Sequence, residues 1–478
     1  MSHNQLIKIS STDLVQRIGQ QIAIANKILG LNTQNDILEL ALKHPDFFVD
    51  RISFYYSLSE YLIEKHKDKW SWYRLSENES LSFPWGIELI NKYKDKWDWF
   101  RLSINESLPW TIELIEKFKD KWKWNNYSGL SNNKSLPWTI ELIEKYENKW
   151  DWDWLSGNKS LPWNIELIEK YEDKWGYREL SRNESLPWSI ELIEKYKDKW
   201  SWNGCGGLIN NKSLPWSIEL VEKFKYKWDW DGHDGLSCNE SLPWSIELLK
   251  KYENKWRWYA LSSNESLPWT IELIEKYRDE WSWWNLSQNK SFPWSIELIE
   301  KYKDKWNWGE YGLSKNESLS FPWNIELIEK YKGKWDWELL SGNKSLPWSI
   351  ELIEKHKNKW LWGCSGTGSD SIRGLSANPF LLWTEKLLEF YVDKWDYKEL
   401  SGNSSLPWSV ELVEKYEDRW NWERLSWNES LPWSIELLKK YENKWCWYAI
   451  DNMSSVYEKA FKPYLTDDLV DKIMQKIT

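Results

Sequence analysis

Apolar positions recur along most of this chain in one fixed spacing. In the stretch Pro187-Trp188-Ser-Ile-Glu-Leu-Ile-Glu-Lys-Tyr196-Lys-Asp-Lys-Trp200-Ser-Trp202, a 100° wheel gathers Trp188, Leu192, Ile193, Tyr196 and Trp200 into roughly 140°, with Glu191 and Glu194 opposite. The spacing predicts a helix over 187–199. Ile190 widens the apolar arc to about 200°, which predicts a helix covered on more than one side by stacked neighbours. Strand alternation does not fit Ile-Glu-Leu-Ile-Glu-Lys-Tyr.

The phrase repeats. Its first Trp falls at 85, 110, 138, 163, 188, 216, 244, 269, 294, 323, 348, 383, 408 and 433, fourteen full copies whose commonest step is 25 residues. A degenerate copy precedes them, with Leu58 in the first Trp place and Trp70 and Trp72 in the other two. Periods of this length mark stacked repeat architectures. The residue after the first Trp is Ser, Thr, Asn or, once, Gly86, all residues favoured at a helix N-cap. With Ser189 as N-cap, Trp188 and Ile193 form a hydrophobic staple and Glu191 enters the first turn. The competing register has a Leu cap with Pro187 at N1. A second, shorter element follows each Trp-x-Trp and reads as one to two helical turns, closed by an Asn (Asn78 through Asn428) suited to an αL or Asx turn.

Insertions fall mainly after the third Trp, at Asn125 to Gly129, Asn203 to Gly207, Asp231 to Gly235, Gly309 to Gly312 and Gly363 to Gly374, and each ends in Gly. A second insertion point holds Leu81 to Pro84 and Leu319 to Pro322. Such loops lengthen cheaply on one side of a solenoid. The flanks lack Trp. Asp13 to Leu29 and Asp36 to Lys43 have helical patterns at one end; Ser454 to Leu465 and Thr466 to Ile477, with Thr466 as N-cap, have them at the other. The expected fold is an all-α solenoid of about 15 stacked helix-turn-helix repeats: an N-terminal helical cap at 1–56, Trp-rich repeats at 57–449 and a C-terminal helical cap at 450–478.

Composition changes this picture in one respect. Of 478 residues 45 are Trp, and all but three occupy the repeated columns; Tyr177 and Tyr397 replace the third Trp in two copies. The regular columns are expected to be core, since each Trp buries about 150–250 Å² and a 25-residue unit has little room for aliphatics. The exceptions are Trp154, Trp284 and Trp427, in columns that elsewhere hold Arg, Gly, Asp, Tyr or Lys. The middle of Trp-x-Trp, with Lys123 and Arg257, and the middle of Ser-x-Asn, with Arg182, also vary. A constant frame with variable columns is how repeat proteins build recognition surfaces. Trp154, Trp284, Trp427, Lys123, Arg182 and Arg257 are therefore the candidate recognition surface; plain solvent exposure accounts for the same variation.

Candidate chemistry is thin. The five His include His66 and His356 in the Tyr196 column, expected to pack as Tyr does; His3, His44 and His233 have no triad or ligand set near them in sequence. Cys205, Cys238, Cys364 and Cys446 lack Cys-x-x-Cys spacing, which argues against zinc. No catalytic, cofactor or metal residue is assigned, and an enzyme is not expected. The Glu191 and Glu194 columns beside Lys195 read as the solvated face of a helix. The Gly-Thr-Gly-Ser-Asp-Ser stretch at 366–371 lacks the strand and Lys of a phosphate loop and reads as a flexible loop. The recurring Asn-x-Ser could accept glycans, but the helix-turn role explains it. A net charge of −10 and alternating Lys and Glu columns count against nucleic acid. No membrane span is seen. The absent secretory leader and scattered thiols suggest the cytoplasm.

The phrase Trp-x-Trp…Leu-Ser-x-Asn…Pro-Trp resembles the Trp-rich tandem-repeat proteins of bacteria and giant viruses. The resemblance covers 57–449 and implies no activity. This chain departs from it in the Leu-Pro before the helix Trp and in Glu-Lys-Tyr where the others have a Pro-containing end. The expected function is a non-catalytic scaffold with an extended protein- or peptide-binding surface. Binding of single-stranded nucleic acid or another ligand through exposed Trp, and an enzyme or effector activity in a terminal segment, stand as alternatives.

Overall fold

In the computed structural model each repeat is a pair of very short helices, and in most copies tryptophan indoles close their ends. The structure describes residues 32–477 except 81–84, 126–128, 311 and 367–371. The expected helix at Asp13 to Leu29, His3 and most of the 366–371 stretch lie outside these residues. The chain is an all-α repeat solenoid. Among the described residues the only strands are Cys364–Ser365 and Ile372–Arg373, an antiparallel pair inside the longest insertion. There are two compact units. One holds Trp408–Glu417, Asn421–Thr478 and the described part of Met1–Asp98; the other holds Trp99–Pro407 with Asp418–Trp420.

The repeat led by Trp188 shows how the sequence makes the leading helix. Ser189 is the N-cap, extended at φ −145°, and its hydroxyl accepts from the Leu192 N–H, which settles the register in favour of the Ser cap over the Leu cap. The helix is only Ile190–Lys195, shorter than the predicted 187–199. Its stop has a specific cause. The Ile193 carbonyl, which a longer helix would give to the Lys197 N–H, accepts from the Trp200 indole N–H at 3.1 Å. Lys197 N–H turns instead to Glu194 O at 3.3 Å, and Tyr196 leaves the helical region at φ −114°, ψ 27°.

All three Trp columns act in this way. Trp202 donates to Lys197 O at 2.8 Å and Trp188 to Asn183 O at 2.9 Å, and the same three bonds recur in most copies, for example from Trp138, Trp150 and Trp152. A six-residue helix leaves most of its terminal carbonyls without intrahelical partners. An indole supplies a donor and a large apolar body together, which Leu or Phe cannot. Volume alone, the reason the sequence suggests, is half of the explanation for 45 Trp.

The trailing helix is one to one and a half turns, Trp152–Gly157 in the repeat led by Trp138. Where a loop is inserted it shrinks to a 3-10 turn such as Leu208–Asn210. The loop folds back so that Leu208 N–H reaches Ser201 O at 2.8 Å. The glycine before that Leu is forced: a Cβ on Gly207 would lie 2.6 Å from the Asn203 backbone, and one on Gly374 would lie 2.1 Å from Leu361 O.

Stacking runs through conserved-in-register polar and aromatic columns. Trp152 packs edge-on against Trp175 of the next repeat at 4.9 Å and beside Tyr171 at 4.8 Å; Trp163 meets Trp175 at 5.0 Å. Asn158 is buried. Its Nδ2 donates back to Ser131 O and Asn133 O of the preceding repeat at 3.1 and 3.3 Å, and its Oδ1 accepts from Ser160 N–H at 2.9 Å. The Asn closes an Asx turn at φ −76°, ψ 112°, not the αL turn also considered. Buried Asn side chains with these bonds are not glycan acceptors in the folded chain. Ser156, fully buried, accepts from Gly176 N–H of the following repeat at 2.9 Å. Ile209 takes the Ser column once, and there Asn203 of the inserted loop receives the next repeat's Asp229 N–H at 2.9 Å.

The Lys and Glu columns are not the i,i+4 pairs of single helices that Glu191 beside Lys195 suggests. They form ladders between repeats: Lys195 reaches Glu169 and Lys199 reaches Asp173 of the preceding copy, and Tyr391 Oη donates to Glu354 at 2.6 Å. His356 takes the Tyr place as expected, buried, tilted on Trp337 at 4.4 Å with Nε2 2.7 Å from the Glu329 carboxylate.

The unit that holds the described residues of 32–98, 408–417 and 421–477 uses the same slots with other helices. The helix Asp467–Lys476, capped by Thr466, stands before the first repeat. Asp471 meets Lys65 at 2.8 Å and His66 at 2.7 Å, and Lys69 Nζ donates to Met474 O at 2.8 Å, as Lys199 does to Glu172 O in the interior. The helix Pro45–Tyr55, not anticipated in the sequence, offers Ser53: its Oγ accepts from Ser71 N–H and its carbonyl from Asn78 Nδ2. Beyond the last repeat, His44 stacks on Trp447 at 3.7 Å, Lys43 pairs with Glu442, and Asp36 and Glu39 of the helix 32–43 pair with Lys439. The two terminal segments thus pack within one unit, against the last and first repeats.

Candidate functional site

Stacking occupies the regular Trp columns, and aromatic side chains that remain exposed lie in the variable ones. The position after the third Trp lies one residue into the trailing helix, where its side chain faces away from the neighbouring indoles. It holds Tyr259 in one repeat and Trp284 in the next, 52% and 43% exposed. Their rings are nearly parallel, 17° apart with centroids 6.4 Å apart. Arg257, half-exposed, sits over the Tyr259 ring at 5.6 Å and reaches Asp231 O at 3.4 Å. Asn285, beneath the pair, donates to Tyr259 O and Ser263 Oγ, both at 2.8 Å, and so ties the two trailing helices together. A cleft of about 210 Å³ opens beside them, lined by His233, Cys238, Glu240, Arg257, Tyr259 and Ser263 among others.

Two of the six sequence-predicted residues, Trp284 and Arg257, are therefore joined through Tyr259. Trp427 lies in the other unit, 47% exposed, with its ring edge-on to Tyr448 at 6.2 Å. Trp154 is half-buried on its short helix, its N–H capped by Asp151 at 3.3 Å. Lys123 is exposed on an earlier repeat and Arg182 is paired with Glu179 at 2.6 Å. Sequence reasoning passed over Tyr259 and Tyr448. Their signal was the column: Tyr73, Phe100, Tyr259, Trp284 and Tyr448 all follow a third Trp.

The titratable groups at the cleft do not assemble into a nucleophilic site. Burial pushes the Cys238 thiol up, away from the thiolate that chemistry needs, and its Sγ donates to His233 O at 3.2 Å. Asp234 is held below the usual carboxylate range by Cys205 Sγ–H, 3.3 Å away, and by His233. Among the described residues no group of three or more His, Cys, Asp or Glu could hold a metal ion, and no helix is long and apolar enough to cross a membrane. The fold and the surface define a class, an all-α tandem-repeat solenoid with aromatic side chains displayed in its variable columns. No family model, curated protein or solved structure matches the chain.

Proposed function

We propose that this chain is a non-catalytic scaffold that binds a protein or peptide through the variable columns of its trailing helices, the reading its likeness to Trp-rich tandem-repeat proteins also accommodates. The observation that carries it is the Tyr259–Trp284 pair. Two large aromatic rings from adjacent repeats are solvent-exposed near a cleft and a guanidinium, while the regular Trp columns are mostly buried among one another. Aromatic and Arg side chains are the residues that dominate binding energy at protein interfaces. Four unpaired thiols suit a reducing compartment, and we place its work there. The test is selection of peptides from a displayed library on the wild-type chain, followed by binding to a Tyr259→Ala/Trp284→Ala variant of unchanged circular dichroism. Selected peptides should bind the variant at least roughly tenfold more weakly; equal binding removes these residues from the contact. A parallel titration with oligo-dT addresses the nucleic-acid alternative, which requires binding that weakens steeply with salt.

A further inference from the structure

A second surface lies on the other helix of each repeat. The isoleucine that widens the apolar arc is not covered by stacking as the wheel suggests. Ile112, Ile165, Ile218, Ile271, Ile296 and Ile350 are exposed, Ile271 by 61%, and their equivalents between them, such as Ile190 and Ile246, are half-exposed. This place is Ile in ten successive repeats from Ile112 to Ile350. The open columns of the trailing helix, by contrast, wander through Asp, Arg, Glu, Gly and Trp. Nothing in the helix asks for Ile there, since β-branching lowers helix propensity slightly.

The next residue is Glu in all ten of these repeats and is exposed in each. These glutamates stand outside the Lys ladders. Glu141, Glu191, Glu247 and Glu297 are held in the anionic form chiefly by their own backbone N–H and the capping hydroxyl. The glutamates three residues further on are the ones that meet lysines, as Glu194 does with Lys197 and Lys223. The result is a row of apolar side chains flanked by a row of carboxylates that close no ion pair with the ladder lysines, which act on them only from a distance, as Lys170 does on Glu141 and Lys223 on Glu191. One copy of the row is covered. Ile435, only 3% exposed, lines a cleft with Asn32, Thr33 and Tyr464 of the chain's own terminal segments.

We propose that the Ile–Glu ridge from Ile112 to Ile350 is a docking surface for an extended, basic segment of a partner protein that carries an apolar side chain at every third residue. The charge fixes the sign of the partner. A second copy of the ridge, a nucleic acid or an anionic membrane would each bring like charge to the glutamates. The spacing fixes its form. Stacked helical layers lie about 10 Å apart, and a chain in the extended polyproline II form covers about 9 Å in three residues and returns every third side chain to the same face. The ridge shares no residue with the Tyr259–Trp284 surface, so each proposal fails by itself.

The probe is a fluorescein-labelled peptide of Leu-Lys-Ser repeated four times, titrated with the full chain and read by anisotropy. Two companions replace every Leu by Ser or every Lys by Glu. The expected result is saturable binding of the first peptide and roughly tenfold or greater weakening for both companions. An Ile218→Ser/Ile271→Ser/Ile296→Ser variant, altered only at exposed side chains and checked by circular dichroism, should weaken binding by a similar factor. A Glu219→Gln/Glu272→Gln/Glu297→Gln variant should flatten the salt dependence. The proposal is overturned if the wild-type chain does not bind the first peptide, if the Leu-free peptide binds equally well, or if the isoleucine variant retains full affinity.

Discussion

An interior junction between repeats and the junctions at the chain ends fill the same slots with different material. In the interior, Lys195 and Lys199 reach back to Glu169 and to the Asp173 and Glu172 end of the preceding leading helix, six residues long like its neighbours. At the start of the repeats, Lys65 and Lys69 make the corresponding contacts to Asp471 and Met474 of a ten-residue helix from the far end of the sequence. Asn78 finds in Ser53 the carbonyl that Asn158 finds in Ser131. What stacking requires is therefore a small set of acceptors and donors at fixed places, with an apolar face between them. Helix length, connectivity and even the Trp columns are free to change when those places are supplied. Atypical end units are expected of repeat arrays; here they meet the polar register of the frame as well as its apolar face.

The largest effect is expected where the frame is least replaceable. Trp200→Ala removes a fully packed indole and the donor to Ile193 O, and should destabilise by about 3–5 kcal/mol, read by urea denaturation followed by far-ultraviolet circular dichroism. A loss below about 1 kcal/mol would mean that the leading helix stops at Lys195 without the indole's help.

Next come the buried amides, which compare the two junctions directly. Asn183→Ala strips Ser156 O and Ser185 N–H of their partners, at a cost of about 1–3 kcal/mol set by the buried Ser156 carbonyl left unsatisfied. Asn78→Ala at the terminal junction should cost about the same. If it costs much less, the Pro45–Tyr55 helix leans on the first repeat without standing in for one.

What could be read in advance follows from this. The period, the Ser cap, the Tyr-like placing of His66 and His356 and the all-α class rest on patterns repeated fourteen times, so each copy confirms the others. The early end of the leading helix was hidden because a wheel counts indoles as apolar surface and ignores their N–H. Ile190 was misread for a related reason, since a wheel cannot tell a covered apolar side from an open one. The terminal junctions rest on single residues such as Ser53 and Asp471, which no repetition marks. At the candidate surface, Trp284 stands out because Trp is foreign to its column, whereas Tyr259 is one of 24 tyrosines and is marked only by its place after a third Trp and, in the structure, by its contacts with Trp284 and Arg257.

A smaller effect separates His356 from the tyrosines of its column. Burial is the largest influence on its ring and holds its pKa below the ordinary 6.5, against the pull of Glu329. The unfolded chain therefore takes up the proton more readily than the folded one, and stability falls as pH drops below about 6.5. His356→Tyr removes that dependence. The stability difference between wild type and variant should shift towards the variant between pH 7.5 and 5.5; an unchanged difference would mean that the imidazole charges freely in place.

The smallest effect carries the opposite sign. Tyr177 fills the third Trp place, packing on Trp200 at 5.2 Å, and its buried hydroxyl has no hydrogen-bond partner. A Trp there would aim its N–H at Glu172 O, the carbonyl five residues back that this column serves elsewhere, as Trp202 serves Lys197 O. Tyr177→Trp should then stabilise by about 0.5–1.5 kcal/mol, a hydrogen bond's usual net contribution, with a little more from added apolar area. Phe at the same place removes the unpartnered hydroxyl and adds no donor, so it separates the two gains. If Phe matches Trp, the columns hold Trp for its size; if Trp exceeds Phe, they hold it because a six-residue helix needs a donor that its own backbone cannot provide.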